Sequence, residues 1–406
     1  MRVLLVGSGG REHALAWSLV RSSSLHELHA APGNPGIAEL ATCHPISSDD
    51  AEGLLGLAGS LGADLVVVGP ETPLVEGLAD LLRHSGIRVF GPGAAAARIE
   101  GSKAFAKDVM DAAGVPTAQR LDEPRAPCVV KADGLAAGKG VVVCRTEAEL
   151  AAGLDVVSAY GEAVVIEELL EGPEVSVFAI CDGANAVVLP TAQDFKRAYD
   201  GDEGPNTGGM GSYAPVPGFD GSVVEEIVES VHRPVLRELA ARGTPFVGTL
   251  FAGLMLTDAG PRVLEFNCRF GDPETQSLLP LLGSDLLELV AAAAGGELAG
   301  AAPVEAAGAA VTVVLAADDY PFSGDRGSPI EGIASAEATG ALVFHAGTAL
   351  HDGRLVTNGG RVLNVTSTGA TLAEARGNAY RAADIVHFDG VRRREDIALA
   401  AAETTG

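Results

Sequence analysis

Three short apolar runs, each ending on a glycine turn, constrain this chain more than any other feature. Val3–Val6 runs into Gly7–Gly10, Leu65–Val68 into Gly69-Pro70-Glu71, and Val89-Phe90 into Gly91-Pro92-Gly93. Between the first two, Ala14, Leu15, Leu19 and Val20 recur at helical spacing. Strands alternating with helices imply parallel βαβ units, and ligands then gather at the carboxyl ends of the strands. The first turn opens a helix, which suits an anion at its N-terminus, with Arg11 as added charge. Glu12 stands where a dinucleotide fingerprint has its third glycine, and Leu28–Ala30 ends without a ribose-holding acid, which disfavours NAD. Without a ligand, the same residues are an ordinary tight turn.

Charge narrows the partners. Of 28 basic residues only five are lysines, namely Lys103, Lys107, Lys131, Lys139 and Lys196, against 54 acids and a net charge of −26. That balance argues against nucleic acid as a partner. Cys43, Cys128, Cys144, Cys181 and Cys268 form no CxxC pair, which points to a reducing compartment, the cytoplasm. No apolar run has the length of about 18–20 residues that spans a bilayer. Where arginine meets nearly every need for positive charge, a retained lysine marks a place where a planar guanidinium does not serve. Lys107, which alone lacks an assignment, is expected to be a residue of a helix surface.

Lys131 and Lys139 bracket a glycine-rich loop, Lys131–Val141, between two strands. Glycines let backbone N–H groups approach phosphate, and lysine adds a compact charge. The loop is not a Walker sequence, since Gly140 follows Lys139 and no helix comes next. Val129–Lys131, Val141–Cys144, Val164–Glu167 and Val175–Ile180 read as strands of a small α+β lobe. Residues 191–218, rich in Gly, Pro, Asn and Asp, read as one long loop. A helix is expected near 222–242 and strands near 247–256 and 262–267, followed by short strands at Val311–Leu315, Ala341–His345 and Arg361–Thr366. Along Val263–Phe270, period two puts Glu265, Asn267 and Arg269 on one face and Leu264, Phe266 and Cys268 on the other. Glu and Asn oxygens two residues apart suit a hard cation shared with phosphates. His13 and His345 read as structural, and no nucleophile–base arrangement is visible.

The set of motifs resembles the phosphoribosylamine–glycine ligase (glycinamide ribonucleotide synthetase) family of the ATP-grasp superfamily. The likeness covers essentially the whole chain. It rests on GGREHALA (Gly9–Ala16), APGNPG (Ala31–Gly36), VGPETPLVEG (Val68–Gly77) and FGPGAAAARIEGSKAFAK (Phe90–Lys107). It continues through VVKADGLAAGKGV, VIEELLEGPEVS, GPNTGGMGSYAP, VLEFNCRFGDPETQ, FHAGT and VTNGGRVL. The resemblance implies an α/β protein: a Rossmann-like N-terminal domain (1–101), an ATP-grasp core (102–303) with a small mobile α+β lobe (about 117–185), and a smaller C-terminal α+β domain (304–406).

It also implies ATP-dependent joining of glycine to phosphoribosylamine through glycyl phosphate, in a cytoplasmic monomer using Mg²⁺ or Mn²⁺. By motif, Lys103, Lys131 and Lys139 hold ATP phosphates, Glu167, Glu168, Leu169 and Leu170 border adenine, and Glu174 takes the ribose. Arg269, with Lys139, stabilises the transferring phosphoryl group, and Glu265 and Asn267 hold the metal. Gly10, Arg11, Glu12, Gly33, Asn34 and Glu71 face phosphoribosylamine, while Asp194, Lys196 and Asn206 close over glycine and phosphate. Phe195 stands where the family often has His, and Pro173 where an acid is common. The strand Phe251–Leu256 has no metal-binding carboxylate of the kind many relatives carry there. Another ATP-grasp carboxylate–amine ligase is the nearest alternative, and a non-catalytic nucleotide-binding module is the bland one.

Overall fold

The computed structural model describes residues 1–136, 140–161, 163–219 and 221–404. The N-terminal hundred residues run β1 (Arg2–Gly7), α1 (Gly10–Leu19), β2 (Glu27–Pro32), β3 (Thr42–Cys43), α2 (Ala51–Leu61), β4 (Leu65–Val68), α3 (Glu71–Val75), α4 (Leu78–His84), β5 (Val89–Phe90) and α5 (Ala94–Gly101). The strands form one parallel sheet in the order β3-β2-β1-β4-β5. Leu4 and Val6 enter one apolar cluster and Val3 and Leu5 another, so β1 is covered on both faces, as parallel strands are.

Helix α6 (Lys103–Ala113) leads into a small lobe of β6 (Cys128–Ala132), β7 (Val141–Cys144), α7 (Glu147–Ser158) and β8 (Val164–Glu168). Its antiparallel sheet has the order β7-β6-β8. Cys128, Val130, Cys144, Leu150, Val157 and Ile166 give the lobe an apolar core of its own. The fourth strand expected for this lobe, β9 (Glu174–Asp182), pairs elsewhere. Buried from Val175 to Asp182, it needs cover on both faces and pairs instead with β15 (Val247–Thr257) of the larger sheet.

Next come β10 (Ala186–Val188), β11 (Gln193–Asp194), β12 (Arg197–Tyr199), β13 (Glu203–Asn206) and β14 (Gly211–Ala214). The segment 191–218, expected to be one long loop, therefore contains four short strands. Their glycines and prolines hid the pairing, because each strand is too short to show a period. Helices α8 (Gly221–Ile227) and α9 (Arg233–Ala241) flank one wide turn at Val228–His232. Strands β15 (Val247–Thr257) and β16 (Gly260–Asn267) complete an antiparallel sheet β10-β9-β15-β16, and α10 (Glu274–Leu278) and α11 (Leu286–Gly295) follow.

The remainder holds β17 (Ala309–Ala316), β18 (Asp325–Pro329), α12 (Ile333–Glu337), β19 (Leu342–His345), β20 (Thr348–His351), β21 (Arg354–Gly359), β22 (Arg361–Gly369), α13 (Leu372–Ala383) and α14 (Leu399–Thr404). Its main sheet, β11-β14-β17-β22-β19, borrows β11 and β14 from the segment expected to be a loop. That borrowing ties Asp194 and its neighbours to the C-terminal part of the fold. His13 makes a second tie: its Nδ1 accepts the His345 N–H at 2.8 Å, and burial pushes its pKa down to about 3.

Candidate active site

Two charged regions meet at Arg269. The first lies where the small lobe joins the β9-β15-β16 sheet. Ser102 caps α6, its hydroxyl accepting the Phe105 N–H at 3.1 Å, so Lys103 opens the helix and donates to the Gly134 carbonyl at 2.9 Å. Lys131, on β6, lies 2.7 Å from Glu167 Oε2 and donates to the Leu264 carbonyl at 2.9 Å. That carbonyl is available because β16 bulges: Leu254 pairs with Val263 and Gly253 with Glu265, leaving Leu264 as the extra residue. The bulge also corrects the strict alternation, since Val263 and Phe266 share the core while Leu264 does not join them.

Lys107 is not on a helix surface. It is 3% exposed, and its Nζ lies 2.9 Å from Glu167 Oε1 and 2.7 Å from Thr117 Oγ1, with Ala118 O as a third acceptor. Helix α6 turns Ala106, Lys107, Val109 and Met110 inward together, so the lysine sits on the buried face and finds a carboxylate there. Glu167 thus spends both oxygens on lysines. Leu169 and Leu170, with Val143, Arg145, Gly172 and Met255, line a cleft of about 530 Å³ beside it.

Lys196 lies 3.0 Å from Glu174 Oε2 and 3.8 Å from Glu265 Oε1, and these acids with Asp194 hold its pKa well above the usual value despite burial. Burial alone would raise the Glu265 pKa, but Lys196, Lys131, Lys103 and Arg269 hold it below the ordinary range. Asn267, 8% exposed, follows on the same face and makes no side-chain hydrogen bond among the described residues. Among the described residues no group of three His, Cys, Asp or Glu side chains could form a metal cage by itself. The Glu265–Asn267 pair therefore suits a hard cation that takes its other ligands from phosphate and water. Lys139 lies outside the described residues. Asn206 reaches the Val141 carbonyl, next to the glycine loop, at 3.4 Å.

The second region is built from arginines. Arg269 Nη2 lies 3.0 Å from Glu100 and its Nε 3.3 Å from Glu71. Arg11, 7% exposed, bonds Glu12 at 2.5 Å, donates to the Phe270 carbonyl at 3.2 Å and approaches Glu71 at 3.8 Å. Although burial works against it, Arg269 and Arg11 hold the Glu71 carboxyl down at about 2. Glu100 shifts the other way, raised by burial and by Glu71 in spite of Arg269. Glu12 accepts the Gly9 N–H at 2.6 Å, and a Cβ on Gly69 would come within 2.1 Å of its other oxygen. That close approach requires glycine after β4.

Beside this frame lies a cavity of about 460 Å³. Ser8, Gly9, Gly10, Gly33 and Asn34 form one wall, and Asp272, Tyr320, Gly347, Thr348, Asn358 and Arg361 the other. Arg361 holds Asp272 through its carboxylate at 3.3 Å and its carbonyl at 2.8 Å. Of the residues expected to face a substrate here, Gly10, Gly33 and Asn34 line the cavity, while Arg11, Glu12 and Glu71 stand behind it. The Asn34 amide donates to Ser8 O at 2.8 Å and His345 O at 2.9 Å, so it also staples the two walls. Sequence reasoning assigned none of the far wall, although FHAGT and VTNGGRVL supply Gly347, Thr348, Asn358 and Arg361. Nor did it assign Glu100 or Glu274. Buried Glu274 and half-buried Asp194 form an acid pair whose pKa values both rise through desolvation; Asp194 adds to the rise of Glu274, and Glu174 to that of Asp194, against Lys196.

A small lysine-bearing lobe over an antiparallel sheet, flanked by a parallel α/β domain, defines an ATP-grasp enzyme. The biotin carboxylase domain of a Hydrogenobacter thermophilus 2-oxoglutarate carboxylase has that fold at TM-score 0.71 and 18% identity, over 96% of this chain and 91% of that one. Models of the phosphoribosylglycinamide synthetase N domain, ATP-grasp (A) domain and C domain match residues 1–100, 101–275 and 310–400. The chain belongs to the phosphoribosylglycinamide synthetase family. It is 52% identical to the phosphoribosylamine–glycine ligase of Streptomyces coelicolor, over 99% of this chain and 100% of that protein. The Mesorhizobium japonicum ligase is 49% identical over 97% of each. The crystal structure of the Thermotoga maritima ligase matches at TM-score 0.84 and 38% identity, covering 98% of this chain and all of that one.

Proposed function

We infer that this chain is an ATP-dependent carbon–nitrogen ligase that joins glycine to 5-phosphoribosylamine, yielding glycinamide ribonucleotide, ADP and phosphate, a step of purine synthesis. The observation that carries the reading is one short stretch of chain. Within Glu265–Asp272, Glu265 lies 3.8 Å from Lys196 with Asn267 on the same strand face, Arg269 bridges two acids, and Asp272 lines the second cavity. One stretch thus reaches both the group that activates a carboxylate and the place where an amine would meet it.

In this reading the glycine carboxylate attacks the γ-phosphate, and the amine of phosphoribosylamine then displaces phosphate from glycyl phosphate. Phosphoryl transfer needs positioning and charge neutralisation above all. Lys103, Lys131 and Lys139 meet the phosphates, Lys196 the transferring end, and Arg269 the developing charge. Glu168, Leu169 and Leu170 border the base and Glu174 the ribose. The Glu167 carboxylate, held by two lysines, serves the site from behind. Glu265 and Asn267 would hold Mg²⁺ or Mn²⁺, which supplies neutralisation of the phosphate chain when bound. Asp194, raised toward the neutral form by burial, and Asn206 close over glycine. Gly10, Gly33 and Asn34 contact phosphoribosylamine directly, with Arg11, Glu12 and Glu71 holding that wall.

No helix among the described residues is long and apolar enough to cross a membrane. We propose a cytoplasmic monomer with these three small molecules as its partners. The test is ADP release over a panel of carboxylates and amines: release that requires glycine and phosphoribosylamine together supports the reading. Release with other carboxylates but not with glycine refutes it.

A further inference from the structure

Lys107 touches neither cavity, yet it is the most completely engaged lysine of the described chain. All three of its N–H donors have protein acceptors, in Glu167 Oε1 at 2.9 Å, Thr117 Oγ1 at 2.7 Å and Ala118 O. It has no donor left for a ligand. Glu167, 2% exposed, gives its second oxygen to Lys131 at 2.7 Å. Lys131 also donates to Leu264 O at 2.9 Å, which leaves it a single free N–H.

The charges of the triad follow by addition. Two ammonium groups share one carboxylate, so the triad carries one net positive charge. The only N–H not already spent within it is on Lys131. Without Lys107, Glu167 and Lys131 would form a neutral buried pair. The carboxylate would then compete with any phosphate for the same ammonium, and buried pairs of this kind hold strongly. Covalent position adds a second effect. Lys107 comes from α6, Glu167 from β8, Lys131 from β6 and the Leu264 carbonyl from the bulge of β16. The triad thus fixes Lys131 against both the lobe and the larger sheet.

We propose that Lys107 is a positioning residue which, through Glu167, keeps Lys131 both in place and positively charged toward the nucleotide. The proposal rests on the reading that Lys131 meets ATP phosphates. It assigns Lys107 an effect on nucleotide binding although it makes no contact with nucleotide.

The test measures affinity for a non-hydrolysable ATP analogue with Mg²⁺ by titration calorimetry on the full chain, beside KM for glycine and phosphoribosylamine and thermal unfolding. Lys107→Met should weaken analogue binding by about tenfold, the size of coupling expected within one charged network, and leave the other two KM values unchanged. The combined Lys107→Met and Glu167→Gln variant removes the competing carboxylate and restores one net positive charge. It should bind the analogue within about threefold of the unmodified chain, better than Lys107→Met alone. A merely structural role predicts the reverse, since two buried losses would add. Wild-type affinity in Lys107→Met, or a double variant weaker than that single one, overturns the proposal. If Lys107→Met does not fold, the double variant decides: analogue affinity as poor as in Lys131→Met overturns it. Lys131→Met with unchanged analogue affinity would instead overturn the reading on which the proposal stands.

Discussion

The regions on either side of Arg269 solve the same electrostatic problem with different cations. The lobe side uses lysines: Lys103, Lys131 and Lys196 each set a point charge against a carboxylate or carbonyl, and Lys107 backs them from the buried face of α6. The other side uses arginines: Arg11, Arg269 and Arg361 each bind two or more acceptors through a planar fork. A fork fixes geometry and keeps its charge, so it suits a permanent wall. An ammonium can exchange partners as a phosphate chain arrives and leaves. On the proposed reading, the few lysines of an arginine-rich chain concentrate where charge changes during turnover.

If the comparison is right, the two sides should fail differently. The largest effect belongs to Arg269→Met, which removes the cation shared by Glu71 and Glu100 and leaves Glu71 only the more distant Arg11. We expect about 3–5 kcal/mol of lost stability in denaturant unfolding, together with lost turnover. Its pH dependence gives a second reading. Glu71 has a depressed folded pKa of about 2, so its stabilisation is present above its unfolded value near 4.5 and fades as pH falls toward 2. In Arg269→Met that acid-side slope should flatten; an unchanged slope would contradict the pairing. On the lysine side, Lys131→Met should lower kcat/KM for ATP by about 10²–10³-fold. Its unfolding curve should move little, since Glu167 keeps Lys107 as partner. Equal destabilisation by the two substitutions would break the comparison.

A subtler effect sits between the two sides. Burial and Asp194 raise the Glu274 pKa above its unfolded value, so ionising it costs stability as pH rises from the ordinary carboxylate range toward neutrality and beyond. Glu274→Gln should therefore be relatively more stable than the parent at pH 8 than at pH 5, by chemical denaturation at both; a constant difference would remove the pair. The smallest effect concerns the base of the lysine array. Ser102→Ala deletes the cap of α6 and should cost about 1 kcal/mol, with a modest rise in KM for ATP. No change in unfolding would show the cap to be dispensable.

Much of this was legible from residue order alone. Parallel strands announced themselves because β1 and β4 are apolar on both faces. The run Glu265–Glu274 stood out because acids, Arg269 and a tight turn crowd one stretch. What escaped has a common cause in tertiary contact. Lys107 is an ordinary helix residue until β8 brings Glu167 against it, and no spacing rule connects positions 60 residues apart. Of the short strands over 191–218, β14 takes the edge that β17 offers and β11 pairs with β14 in turn, while β12 and β13 pair with each other. The far wall of the second cavity comes from turns near Gly347 and Asn358, which carry no charge pattern to betray them.

On the proposed reading, a carboxylate activated on the lysine side is consumed on the arginine side. Glycine labelled with ¹⁸O in its carboxylate tests it in one turnover experiment. Each inorganic phosphate released with glycinamide ribonucleotide should carry a single labelled oxygen, seen by mass spectrometry or as an isotope shift in ³¹P NMR. Amide product accompanied by unlabelled phosphate would contradict it.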